Sequence, residues 1–246
     1  MLEIKCIAAD YGNGTIQPGM DLSRIAEDVI EDRSLVVLKG VFAKENLLDL
    51  RTRVYEWGLS EPASPPESIR DGNWHRFLND PPRMTPMKIH DFMFDEGQGD
   101  ISSDLWPMVS ALRDLQQSIV RSIPGSDPVQ ADNVSKSKTI PVASLMHYPC
   151  GGGYFDWHTH KFLPGKIGLF VCLSRRGDDF QAGGISFATD GKETSIEHVY
   201  EVGDILIFRL DLSHRVSPVD PELAEIKSEK GRWSFHVSGR PELGKT

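Results

Sequence analysis

The sequence predicts a mainly β protein: a jelly-roll or barrel core carried on supporting helices. Three observations predict it. After Ile140, short apolar or alternating runs recur at 142–148, 154–160, 166–174, 184–188, 194–200, 202–210, 214–219 and 231–238, separated by Gly, Asp and Ser. Before that point, two stretches carry apolar residues at helical rather than strand spacing. The composition, 39% hydrophobic and 26% charged over 246 residues, supplies a real core and argues against wholesale disorder.

The elements follow in order. Met1 to Asp10 has a short apolar stretch without the long apolar centre of a signal peptide. Asp21 to Asp32 places Leu22, Ile25, Ala26, Val29 and Ile30 on one helical face. Leu35 to Leu38 reads as a buried strand ended by Gly40, and Lys44 to Trp57 as a second helix stopped by Gly58. Residues 59–100 are rich in proline and carry isolated aromatics, including Asn73-Trp74-His75-Arg76-Phe77. They read as a long lid or substrate-binding segment, with Trp74, Arg76 and Arg83 as candidate substrate contacts. Ser103 or Asp104 caps a third helix, which Pro124-Gly125 stops. The expected organisation is a single domain over 1–246, with helical support and lid in 1–139 and the β-core in 140–238.

Charge and cysteine content narrow the function. The net charge of −9 comes without a Lys/Arg cluster, which is unfavourable for phosphate backbones, so no nucleic-acid partner is expected. No run of eighteen apolar residues occurs, so no membrane span is expected. Cys6, Cys150 and Cys172 are too few and too widely spaced for a disulfide framework, which fits a reducing cytoplasm. Cys150 reads as structural, since no base is identifiably paired with it.

The chemistry concentrates in Tyr148-Pro-Cys-Gly-Gly-Gly-Tyr-Phe-Asp-Trp-His158-Thr-His160. Residues two apart on a strand face the same side, so His158 and His160 point together and can share a metal. Asp156 shares that face as a further ligand or as an acceptor behind an imidazole. His214 follows the apolar strand Asp204 to Arg209 and supplies a third donor. Three ligands on one side of a metal leave positions open for substrate or oxygen. The other histidines, His75, His90, His147, His198 and His236, read as ordinary packed or surface residues.

Taken together, these motifs resemble the Fe(II)- and 2-oxoglutarate-dependent oxygenase superfamily over about residues 140–238. The resemblance rests on the aromatic-glycine lead Tyr148 to Phe155, on His158 as the proximal histidine, and on His214 in a His-x-Val-x-Pro-Val context. It rests also on Gly231-Arg232-Trp-Ser-Phe-His-Val237 as the last core strand. It implies a double-stranded β-helix core, Fe(II) as metal, O₂ and 2-oxoglutarate as cosubstrates, and oxidation of a small molecule by hydroxylation, desaturation or cyclisation. Arg232 would hold the far carboxylate of 2-oxoglutarate, with Tyr148 and Ser234 as neighbours; no catalytic residue beyond the metal ligands is implied. Two features depart from the pattern. His160 stands where the family has a carboxylate, and Arg232 lies eighteen residues after His214, a gap that the polar stretch Asp220 to Lys230 fills as a long hairpin loop.

The departures keep other readings open: a three-histidine Fe(II) dioxygenase that uses O₂ without 2-oxoglutarate, a zinc hydrolase or hydratase, and a non-catalytic β-barrel binding module. Imidazole ligation suits Zn, Cu and Ni as well as Fe. Substrate identity and oligomeric state are not legible.

Overall fold

Alternation along the core strands sorts side chains between two faces, and the two faces bury different things. In the computed structural model, residues 2–61, 63–65, 71–80, 85–123, 139–160, 167–224 and 227–241 are described. Strands dominate: β1 (Ile4–Gly12), β2 (Thr15–Pro18), β3 (Leu35–Lys39), β4 (Trp74–Asn79), β5 (Met87–Phe94), β6 (Thr139–Pro149), β7 (Gly153–His158), β8 (Ile167–Cys172), β9 (Gly184–Thr189), β10 (Lys192–Ser195), β11 (Ile205–Arg209), β12 (Ser213–Val219) and β13 (Gly231–Pro241). Among the described residues three helices, α1 (Leu22–Ile30), α2 (Lys44–Ser60) and α3 (Asp100–Arg121), lie between them in sequence.

The strands join one thirteen-stranded sheet in the order β10-β9-β12-β7-β5-β6-β13-β8-β11-β3-β1-β2, with β4 paired to β5. Its double-stranded β-helix core is the fold class expected from the sequence. On the outer face, Phe92, Leu145, Val171, Ile207, Trp233 and Phe235 pack against apolar stripes of the helices, such as Ile25 and Val29 of α1 and Leu105, Leu112 and Ile119 of α3. Burying each such side chain contributes about 1.5–3 kcal/mol. On the inner face, Val37, Ile89, Ile185, Phe187, Leu206, Phe208 and Val216 form a second core inside the roll.

The structure corrects the expected organisation in four places. Residues 59–100 are not one long lid, because β4 pairs antiparallel with β5, and β5 lies inside the sheet between β7 and β6. Polar residues hid these strands: Asp91 is buried on β5, where Arg76 of β4 pairs with it at 3.0 Å and Ser144 donates to it at 2.9 Å. The N-terminal part is also less helical than expected. β1 runs parallel to β3 and turns into β2 through Asn13-Gly14, both at positive φ, the hairpin chemistry that an Asn-Gly pair favours.

The run 194–200 is not a strand throughout: β10 ends at Ser195, and a turn closed by the Val199 N–H to Ile196 carbonyl bond follows. The turn still buries Ile196 and Tyr200, which accounts for the strand-like pattern. Helix α3 starts at Asp100, and the Ser103 hydroxyl bonds back to the Gly99 carbonyl instead of capping. Pro124-Gly125 and Arg83 lie outside the described residues. No helix among the described residues is long and apolar enough to cross a membrane.

Candidate metal centre

The end of β7 lies directly beside the start of β12, with His158 opposite His214 in the antiparallel register. His160 stands two residues beyond, just past the strand, where its backbone N–H donates to the Leu210 carbonyl at 3.0 Å. Strand pairing thus brings together residues more than fifty positions apart. One ligand atom from each of His158, His160 and His214 lies within 4.8 Å of the other two.

Two of the rings are held in a fixed orientation. His158 Nδ1 donates to the Asp156 carbonyl and His214 Nδ1 to the Leu212 carbonyl, each at 2.8 Å. That leaves Nε2 of each ring as the lone-pair donor, the arrangement that outer hydrogen bonds impose on metal-binding histidines. Phe155 stacks on His158 at 3.9 Å, and Phe187 and Phe208 flank His214. His214 Nε2 is buried without a hydrogen-bond partner. An orphaned nitrogen facing two further imidazoles is what a divalent metal would satisfy.

Burial pushes the pKa of His214 down to about 3, with the neighbouring His158 adding to the effect. Burial also lowers His158 and His160. The three rings are therefore neutral, ligand-competent imidazoles at neutral pH. Asp156 is exposed, and its carboxylate accepts the Trp157 N–H at 2.7 Å. Its backbone carbonyl, not its carboxylate, supports the site.

The histidines open into a cavity of about 580 Å³ inside the roll. Arg232, Ser234 and His236 line it from alternate positions of β13, and Tyr148 and Met146 line it from β6. Arg232 is 2% exposed, and its guanidinium lies 5.7 Å from the Tyr148 ring centre. Its Nε donates to Glu197 Oε1 at 2.7 Å, while Nη2 is buried without a partner. Burial disfavours the charge on Arg232, but Glu197 and Tyr148 more than offset this and its pKa is raised. The Tyr148 phenol is driven up by burial and stays protonated; it donates to Met146 Sδ at 3.3 Å.

The structure brings together His158, His160, His214, Arg232, Tyr148 and Ser234 around this one cavity. It does not bring Trp74 or Arg76 there. Trp74 packs with Met93 and Val142, and Arg76 is engaged with Asp91 and lies 5.3 Å from the Trp74 ring centre. One cavity residue and one partner of a cavity residue escaped the sequence reading. His236 was legible from its parity with Arg232 and Ser234. Glu197 was not, because it reaches Arg232 from a turn. Cys150 donates to Asp220 at 3.2 Å, and burial first and that carboxylate second push its thiol up to about 12, the profile of an inert structural thiol. A larger cleft of about 710 Å³ beside α2 is lined by Asp49, Arg53 and Asp104, in which Arg53 pairs with both carboxylates.

No family model matches the chain, and no curated protein matches it in sequence. Solved structures do match. A putative oxygenase from Shewanella oneidensis aligns with TM-score 0.58 at 15% identity, covering 94% of this chain and 88% of that one. A Pseudomonas putida prolyl-4-hydroxylase aligns with TM-score 0.56 at 14% identity, covering 91% of this chain and 100% of that one. A Neurospora crassa structure solved with alpha-KG and thymine aligns with TM-score 0.55 at 12% identity, covering 87% and 79%. The chain therefore has the fold of these structures and of a putative 2OG-Fe(II) oxygenase family protein from Caulobacter crescentus (TM-score 0.53, 14% identity, covering 88% and 81%), and its three-histidine cluster fits the metal site expected from the sequence.

Proposed function

We propose that this chain is a non-haem iron oxygenase that couples decarboxylation of 2-oxoglutarate to the oxidation of a small molecule. One observation carries the reading: a convergent set of three neutral imidazoles and a buried arginine with an unpartnered nitrogen line the same cavity of this fold. His158, His160 and His214 hold the metal. Bound there, Fe(II) supplies oxygen activation, the chemistry that the protein itself lacks.

The chain's own residues bind and orient. Arg232 presents its terminal nitrogens to the far carboxylate of 2-oxoglutarate, a charge-assisted contact. Ser234 and Tyr148 complete that end of the cavity. Phe155, Ile185 and Val216 give it an apolar wall that restricts water. Neutral imidazole in place of a carboxylate leaves the metal one unit more positive than in the two-histidine pattern.

The test is anaerobic reconstitution with Fe(II), then addition of O₂ and 2-oxoglutarate, with succinate as the readout. Wild type forms succinate, and Arg232→Ala loses about tenfold or more of its 2-oxoglutarate affinity. A second reading has a specific observation behind it. His160 makes the site all-imidazole, as in iron dioxygenases that use O₂ alone. Substrate oxidation without succinate, unchanged in Arg232→Ala, would establish that reading instead.

A further inference from the structure

The carboxylate that the metal lacks has a counterpart buried against the arginine of the cavity. Glu197 is 5% exposed and touches Arg232, itself 2% exposed, through a 2.7 Å hydrogen bond from Nε to Oε1. The same oxygen accepts the Ile185 backbone N–H at 2.7 Å, so the main chain of β9 fixes it in place. Room for it is made by Gly184. A Cβ there would lie 2.4 Å from Glu197 Cγ and 2.6 Å from Oε1, and the residue's φ of +114° is one that side chains other than glycine's rarely adopt. The turn after β10 exposes His198 to one side and sends Glu197 inward, which is why the strand pattern breaks there.

We infer that Glu197 is a positioning residue for Arg232: it occupies Nε, so that a ligand carboxylate is received by the terminal nitrogens. This rests on the 2-oxoglutarate reading above and deepens it. An arginine offers a fork of donors, and which edge faces a ligand depends on what holds the rest of the group. Here Nε is taken and Nη2 lies buried and unpartnered in the wall of the cavity. The charges agree. A divalent metal, three neutral imidazoles, Arg232 and Glu197 sum to two positive charges. A site with one carboxylate on the metal and a lone arginine has the same sum, and a dianion balances either. A lone buried Glu–Arg pair is weak evidence for stability alone, whereas a pair whose arginine lines a cavity and keeps a terminal nitrogen unpartnered is arranged to take a further anion.

The experiment is calorimetric titration of metal-loaded protein under anaerobic conditions with 2-oxoglutarate and, separately, with pyruvate, a 2-oxo acid that lacks the far carboxylate. Mn(II) replaces iron, so the readout is binding and not turnover. Glu197→Ala should weaken 2-oxoglutarate about tenfold or more and leave pyruvate unchanged. Glu197→Gln keeps an amide oxygen for both donors and should stay within about threefold of wild type. Where Glu197→Ala fails to fold, Glu197→Asp serves, since retracting the oxygen by one methylene should give the same selective loss. Unchanged or tighter 2-oxoglutarate binding in the Ala or Asp variant overturns the inference, as does an equal loss for both ligands. Wild-type protein that binds Mn(II) but not 2-oxoglutarate overturns the underlying functional reading instead.

Discussion

Two groups of three histidines sit on opposite faces of the same sheet, and they behave differently. His158, His160 and His214 bring single ring nitrogens within 4.8 Å of one another. His75, His90 and His147, on the face toward the helices, meet by their ring planes instead. His147 stacks on Trp233 at 4.3 Å and on His90 at 5.8 Å, and His90 stacks on Phe77 at 4.5 Å. His75 stacks on Phe92 at 5.3 Å. Edges that converge make a ligand set, while faces that stack make a core. Three histidines near one another are therefore no metal signal by themselves; what decides is whether lone pairs or ring faces meet.

The largest effect expected from this contrast is on metal affinity. Removing an outer partner of a ligand histidine costs roughly 10–100-fold in metal affinity. His214→Ala and His158→Ala should cost more than that in anaerobic Fe(II) or Zn(II) titration. His75→Phe and His147→Phe should leave the same titration unchanged, and loss of metal in either would break the distinction.

Next in size is a stability effect confined to the stacked group. Trp233 is fully buried between His147 and Phe92, with its indole N–H on the Glu229 carbonyl at 2.8 Å. Trp233→Ala should cost about 3–5 kcal/mol in denaturant unfolding. Metal affinity of the folded fraction should be retained, because Trp233 points away from the cavity that Arg232 and Ser234 line.

Smaller still is a pH effect. Burial lowers His147 to about 3, against an ordinary value of 6.5. A folded-state pKa below the unfolded one means that the unfolded chain takes up the proton first as pH falls. Stability is therefore full above about pH 6.5 and declines from there toward pH 3, by at most about 1.4 kcal/mol per pH unit for this group. Urea midpoints of apo-protein between pH 7 and pH 5 should fall less in His147→Gln than in wild type. An identical fall would remove His147 from the acid response.

Much of this contrast was legible in the sequence. Two-residue alternation put Arg232 and Ser234 on one face of β13, and both line the cavity; His160 lies just past the end of β7, so its convergence with His158 is not a matter of strand alternation. The apolar runs located most of the core strands because their side chains are buried between the two cores. What alternation reveals less well is a strand whose apolar positions are interrupted by a buried charge. β4 and β5 bury Trp74, Leu78, Met87, Ile89, Phe92 and Phe94, but Asp91 lies buried among them, satisfied by Arg76 across the pair and by Ser144 of β6, and no single residue announces that pairing. Glu197 was hidden for a related reason: its partner lies thirty-five residues on, and its own backbone has left the strand. His236 was readable by parity, yet a lone histidine on a strand has many ordinary explanations.

The central claim is that His160 completes the metal site in place of a carboxylate. The most direct measurement is X-ray absorption of the anaerobic Fe(II)-loaded protein, counting imidazoles on the metal in wild type and in His160→Ala. The structure predicts three imidazoles in wild type and two in the variant. Two imidazoles in both would contradict it.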